Sequence, residues 1–305
     1  YNIDEYNIYV NGEQVLKEYT SKLKEQSGNN LKNYDEISKL EFKDFVNSEG
    51  ELIAWMWVGL SRFEKAIPKL NLMQGIRARQ ANIQIGDYDV FKSLFKEERG
   101  NRYFVGEVFT NSSDLIANSQ RDYFNETEIR VFFEDSLRCY FYDTLHNLYT
   151  KANVIKNAYK KQEGYLAKSE EFEKKSKSNS FIDNQERLRL EGEVEKAKNE
   201  ADKARKQLSN YDTISGDSPI AEVKKQISAK FNSEELSKKV SEVDNKPCNS
   251  RSSASKKNGG YAVDALSKLN KSERKLISKI WSVITNNAPK DIAESLIEKI
   301  KEEFK

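Results

Sequence analysis

At 305 residues the chain is long enough for two or three domains, yet only 37% of it is hydrophobic and 33% is charged. That lean composition predicts long solvated helices or unstructured stretches beside an ordinary core. Lysine and arginine total 51 against 49 acidic residues, a formal net charge of +2, so the overall balance argues for neither a nucleic-acid nor a membrane partner.

Two distant cysteines, Cys139 and Cys248, and a single histidine, His146, speak against a disulfide framework, the usual Cys/His zinc sites and a histidine-based hydrolase. A reducing, cytoplasmic setting is expected, with no metal site. No run approaches the ~20 apolar residues of a bilayer span. Tyr1 opens in strand-like sequence without an initiator methionine, and the chain reads as part of a longer polypeptide.

The first region, residues 1–138, reads as α+β. Ile8 to Val15 predicts a hairpin around Asn11-Gly12, a dipeptide suited to the positive φ angles of a type I′ turn. A polar helical stretch is expected next. Leu52 to Val58, with two tryptophans among aliphatics, predicts a buried strand. Gly75–Arg79 and Asn82–Ile85 alternate apolar with polar residues, as half-buried strands do, which leaves Arg77 and Arg79 as solvated strand residues. Val90 to Phe95 predicts a short amphipathic helix, and Tyr103 to Phe109 another strand.

Residues 139–212 predict a helical hairpin. Leu145, Leu148, Ala152, Ile155, Tyr159 and Leu166 fall on alternating three- and four-residue steps, with Gln162 in the remaining seam position. Leu190, Val194, Ala197, Ala201, Ala204 and Leu208 repeat the rhythm of a coiled coil. Ser176 to Ser180 breaks the two runs, so an antiparallel pair is the economical reading. His146 falls in the same helical pattern, as a surface residue. Residues 213–260 hold a modest amphipathic stretch, Ile220 to Val243, and a Ser/Lys/Asn/Gly linker from Lys246 to Gly260. Residues 261–305 predict two amphipathic helices, with a cap-like Asn270/Glu273 pair and Pro289 in the first turn of the last helix.

No phosphate-cradling GxxxxGK[ST] or GxGxxG is present. One loop carries chemistry: Ser113 to Asp122, between the 103–109 strand and a helix starting near Asn125. Its plain structural reading has Asp114 and Asp122 stabilising turns, with Arg121 paired to one of them. At this loop the chain resembles the middle domain of the Hsp90 family, whose segment reads D-L-P-L-N-x-S-R-E. Asp114, Leu115, Asn118 and Arg121 match in type and spacing, while Asp122 replaces glutamate and Asn125 stands where the family has glutamine. The runs Phe63–Pro68 and Met73–Asp87 look like a bacterial subgroup of Hsp90-like (GHKL-type) ATP-binding proteins.

The resemblance implies a ribosomal-S5-like βαβ transducer domain. Behind it would come the helical hairpin and a small C-terminal helical region that the resemblance covers more loosely. It implies that Arg121 contacts the γ-phosphate of ATP, bound with Mg by an N-terminal ATPase domain outside this chain, and that Asn118 shapes the loop. Lys65 is a second phosphate-facing candidate, by analogy with the coupling lysine of gyrase- and MutL-like relatives. The chain alone is then expected to hold no cofactor and to hydrolyse no ATP. Its partners would be its own N-terminal domain and a second copy, joined through the helical regions. The alternative is a non-enzymatic coiled-coil scaffold binding protein partners or DNA, in a MORC-like or phage-defence role. Lys246, Arg251, Lys256 and Lys257 can touch phosphates, although a solubilising linker explains them more simply.

Overall fold

Strands dominate the described part of the first 110 residues. The computed structural model of the chain describes residues 3, 5–17, 19–178, 180–211, 218–245 and 271–303. The Asn-Gly hairpin is present: β1 (Tyr9–Val10) pairs with β2 (Glu13–Gln14) across Asn11 at φ 53° and Gly12 at φ 85°. The expected helical stretch is instead three strands, β3 (Lys22–Ser27), β4 (Asn30–Glu36) and β5 (Lys39–Val46). In β5 Leu40 and Phe42 alternate with Glu41 and Lys43, but the order inverts at Asp44 and Phe45, and Phe45 is buried while Leu40 and Phe42 are exposed, so the sequence presents no consistent apolar face.

β5 opens a five-stranded mixed sheet with β6 (Leu52–Leu60), β7 (Gly75–Gln80), β8 (Ile83–Ile85) and β9 (Val105–Thr110), in the order β5-β6-β9-β7-β8. Only β7 and β9 run parallel. Their connection holds β8 and two 3-10 turns, Lys92–Leu94 and Glu98–Tyr103. The helix expected over 90–95 is therefore a single tight turn. Its apolar residues Phe91, Leu94 and Phe95 are buried at the i, i+3, i+4 spacing of a helical face, although only one 3-10 turn forms between them.

The two faces of the sheet differ. Ala54, Met56, Val58, Ile76, Ala78 and Val108 are fully buried on one of them. Phe45, paired with Ala54, meets Tyr140 of α1 (Glu128–Tyr140) on that side. Phe91 bridges Phe133 and Phe141. The opposite face carries Trp55, Trp57, Arg77, Arg79, Glu107 and Phe109, set side by side by the register. α4 (Pro219–Lys230) also belongs to this unit, burying Val223 and Ile227, with Lys230 Nζ 2.8 Å from Glu64.

The chain divides into two compact units, residues 1–156 with 213–230, and residues 157–212 with 231–305, where sequence predicted four segments. α1 passes through one π turn, Phe141–Leu145, into α2 (His146–Lys177). In the second unit α2 and α3 (Asn184–Ser209) run antiparallel. Lys161 meets Glu200 at 4.0 Å and Lys175 meets Glu186 at 2.9 Å, numbers rising on one helix as they fall on the other. Asp183 caps α3 by accepting from Glu186 N at 2.6 Å. α5 (Ser233–Asn245) is pinned by Asp244, which takes Tyr165 Oη at 3.0 Å, Lys198 Nζ at 3.3 Å and Arg205 at 2.8 Å. α6 (Lys271–Asn287) and α7 (Lys290–Glu303) pack through Ile277, Trp281, Ile297 and Ile300. Pro289 precedes α7, and its carbonyl accepts from Ala293 N at 2.9 Å. The expected cap at Asn270, the linker 246–260 and Cys248 lie outside the described residues. Among the described residues no helix is long and apolar enough to cross a membrane.

Candidate functional site

β9 is the middle strand, so whatever leaves its C-terminal end is carried by the most constrained part of the sheet. Asn111 N and Ser112 N both donate to Ile53 O, at 2.8 and 3.1 Å, which fixes the exit direction. Leu115 is fully buried, and its carbonyl accepts from Gln80 Nε2 at 2.6 Å. This buried side chain pegs the loop to the core, while its neighbour Ile116 stays exposed.

Beyond the peg the chain folds back as a small hairpin. Ala117 bridges Phe124, Asn118 N donates to Tyr123 O at 2.9 Å, and Arg121 N closes the turn onto Asn118 O at 3.0 Å. The Asn118 side chain braces the turn in both directions. Its Nδ2 donates to Asp122 Oδ1 at 2.5 Å, and its Oδ1 accepts from Asp122 N at 3.3 Å. Asp122 thus stabilises the turn through Asn118, as the plain structural reading expects, whereas the ion pair that reading gives Arg121 with Asp114 or Asp122 does not form.

Arg121 stands at the tip with φ 55°, a left-handed conformation that costs a non-glycine residue about 1 kcal/mol. Its side chain is exposed and forms no ion pair among the described residues. Its carbonyl accepts from Gly86 N at 2.8 Å. Gly86 has φ 66°, and a Cβ there would lie 2.5 Å from Asp122 O, so only glycine permits this approach. Two segments of the family-like pattern, Asn82–Asp87 and Asn118–Asp122, are thereby in direct contact.

The helix behind the turn starts at Glu128, three residues later than expected, with Thr127 Oγ1 accepting from Arg130 N at 3.2 Å. Arg130 holds the base of the hairpin. It donates to Phe124 O at 3.0 Å, pairs with Glu134 at 2.8 Å and lies over the Tyr123 ring. Burial, then the Glu134 charge, pushes the Tyr123 hydroxyl above its ordinary pKa.

Lys65 is elsewhere. It follows β6, pairs with Glu25 of β3 and lies 4.7 Å from the Tyr34 ring of β4, so the structure does not bring it to the Arg121 turn. Arg77 and Arg79 are not solvated. Arg77 is buried and donates to the carbonyls of Leu72 and Met73, and Arg79 meets Glu107 at 2.6 Å. Glu107, 2% exposed, also takes Tyr19 Oη at 2.9 Å, Lys17 Nζ at 3.1 Å and Trp57 Nε1 at 3.4 Å. Sequence reasoning missed this cluster. Its signal was a lone acid in the apolar run Phe104–Phe109, and a buried carboxylate needs cationic partners.

An exposed guanidinium held on a rigid turn suits phosphate oxygens, which its planar fork matches. Asp122 beside it and Asp87 after Gly86 oppose a second anion, so the turn fits a phosphate held by other groups better than a free nucleotide. Among the described residues no cluster of His, Cys, Asp and Glu could hold a metal ion. Compared with protein-family models, curated proteins and solved structures, the chain matches none.

Proposed function

We propose that this chain is the coupling part of an Hsp90-like ATPase, in which a separate domain binds Mg-ATP and Arg121 reaches the γ-phosphate. The supporting observation is the Arg121 turn itself. A permanently charged group sits at an exposed tip, braced by Asn118 and Asp122 and docked on Gly86. Such an arginine stabilises charge on the transferred phosphoryl and excludes nothing from the site when absent, so it acts on rate more than on binding. Closure of the nucleotide domain onto the turn then passes to the helices. In a polypeptide carrying both parts, Arg121→Ala slows ATP turnover at least about tenfold with nucleotide affinity nearly unchanged. Wild-type turnover in that variant removes Arg121 from the mechanism.

A second reading is favoured by the helices. On α6 and α7 Leu276, Ile280, Val283, Ile292 and Leu296 remain exposed, an apolar stripe that fits self-association or a protein scaffold. Light scattering decides whether the chain is a dimer. DNA binding that falls steeply with salt would favour the scaffold over the ATPase.

A further inference from the structure

A cavity of about 440 Å³ opens where the segment between β2 and β3 meets the turn from β4 into β5, on the sheet face that carries Glu107. Tyr19 and Trp57 form an aromatic corner, edge to face with ring centroids 5.2 Å apart at 87°. Ile37, Leu40 and Val105 complete an apolar lining. A Cβ on Gly59 would lie 2.9 Å from Ile37 Cγ2, so glycine lets Ile37 settle onto the sheet. Backbone groups hold the walls in place. Ile37 N donates to Ser21 O at 2.7 Å, Ser38 N to Leu60 O at 3.0 Å and Thr20 N to Met73 Sδ at 3.1 Å. The cavity is therefore preformed, and its volume is that of a small-molecule site.

Most polar atoms of the lining are already engaged. Tyr19 Oη and Trp57 Nε1 donate to Glu107 at 2.9 and 3.4 Å, and Thr20 Oγ1 donates to Lys22 O at 3.1 Å. Ser38 Oγ accepts from Gln226 Nε2 of α4. The two rings thus offer apolar surface rather than donors. Two lining groups keep their protons free: the Ser21 hydroxyl and the Lys39 ammonium have no partner among the described residues. Both residues are exposed, which sets these donors at the solvent side of an apolar interior. No acidic side chain lines the cavity. Glu107 behind the aromatic corner is outweighed by its two cations, Lys17 at 3.1 Å and Arg79 at 2.6 Å, so it does not oppose an anion.

We infer that this cavity binds a small aromatic acid, its ring packed against Trp57 and Tyr19 and its carboxylate held by Lys39 and Ser21. A carboxylate accepts from both free donors at once, and an ammonium group on the same ring would face Lys39 with like charge. A sugar or nucleotide would bury hydroxyls against Ile37, Leu40 and Val105 without partners. The site is separate from the Arg121 turn, and it stands whether or not the coupling function does.

The test titrates the 305-residue chain with 2-naphthoate, 2-naphthalenemethanol and 2-naphthylmethylamine, one ring system with an anionic, a neutral and a cationic head. The indole N–H resonances of Trp55, Trp57 and Trp281 are followed by NMR. Trp57 shifts saturably, with naphthoate bound tightest and the amine weakest, about tenfold apart. Lys39→Glu, at an exposed position, keeps the melting temperature and reverses that order, while the alcohol binds as before. Equal affinity for acid and amine, or an order that Lys39→Glu leaves unchanged, overturns the assignment of an acid ligand. Shifts that spare Trp57, or no saturable binding by any of the three probes, overturn the site itself.

Discussion

A residue held at positive φ without being glycine invites a direct separation of structural from functional roles. At Arg121 the backbone strain and the exposed side chain predict that Arg121→Gly leaves the urea midpoint unchanged or slightly raised, with unfolding free energy within about 1 kcal/mol of wild type. A larger loss would mean that the side chain holds the loop. Glu107 predicts the opposite behaviour. Removing this buried acid by Glu107→Ala strands Arg79 and Lys17 and destabilises by about 3 kcal/mol or more, measurable in the same titration. Tyr19 makes the cluster pH-sensitive. Burial first, and the Glu107 charge second, push its hydroxyl up to about 12 from an ordinary 10.0. Its folded pKa is raised, so its contribution is complete below pH 10 and is lost as pH climbs towards 12. Tyr19→Phe should flatten the fall in stability across that window; an unchanged slope would contradict the assignment. The turn at Asn118–Asp122 was legible as a loop between strand and helix because its hydrogen bonds are local, within five residues. The Glu107 cluster was not, because its members come from four separate segments: the sheet register sets Trp57, Arg79 and Glu107 side by side, and Lys17 and Tyr19 reach them from the segment between β2 and β3.

At the scale of elements, period and turn chemistry carried what could be read. The Asn11-Gly12 hairpin, β6, β7 and the α2–α3 break all follow from them. β3 to β5 escaped because their polar, charged composition resembles an exposed helix, and pairing decides them where propensity does not. Within the α2 seam Gln162 is 1% exposed, with Oε1 unpartnered among the described residues. An unsatisfied buried carbonyl costs about 1–3 kcal/mol, so Gln162→Leu should raise the melting temperature by several degrees. A lower melting temperature would show that the seam pairs this amide in solution.

For the whole molecule, the α+β unit and the helical unit place different demands on any account of function. The first presents an exposed cation on a braced turn; the second ends in a helix pair with an exposed apolar stripe. Coupling gives both features a use, phosphate sensing at one and assembly at the other. The most direct measurement is chemical rescue of the missing guanidinium. ATP turnover by Arg121→Ala, in the polypeptide joined to its nucleotide-bearing domain, is followed with millimolar guanidinium chloride, far below denaturing concentrations. Coupling predicts a slow variant whose rate recovers saturably with the added cation while wild type does not respond. A variant as fast as wild type, or a slow one indifferent to guanidinium, would contradict a phosphate contact by Arg121.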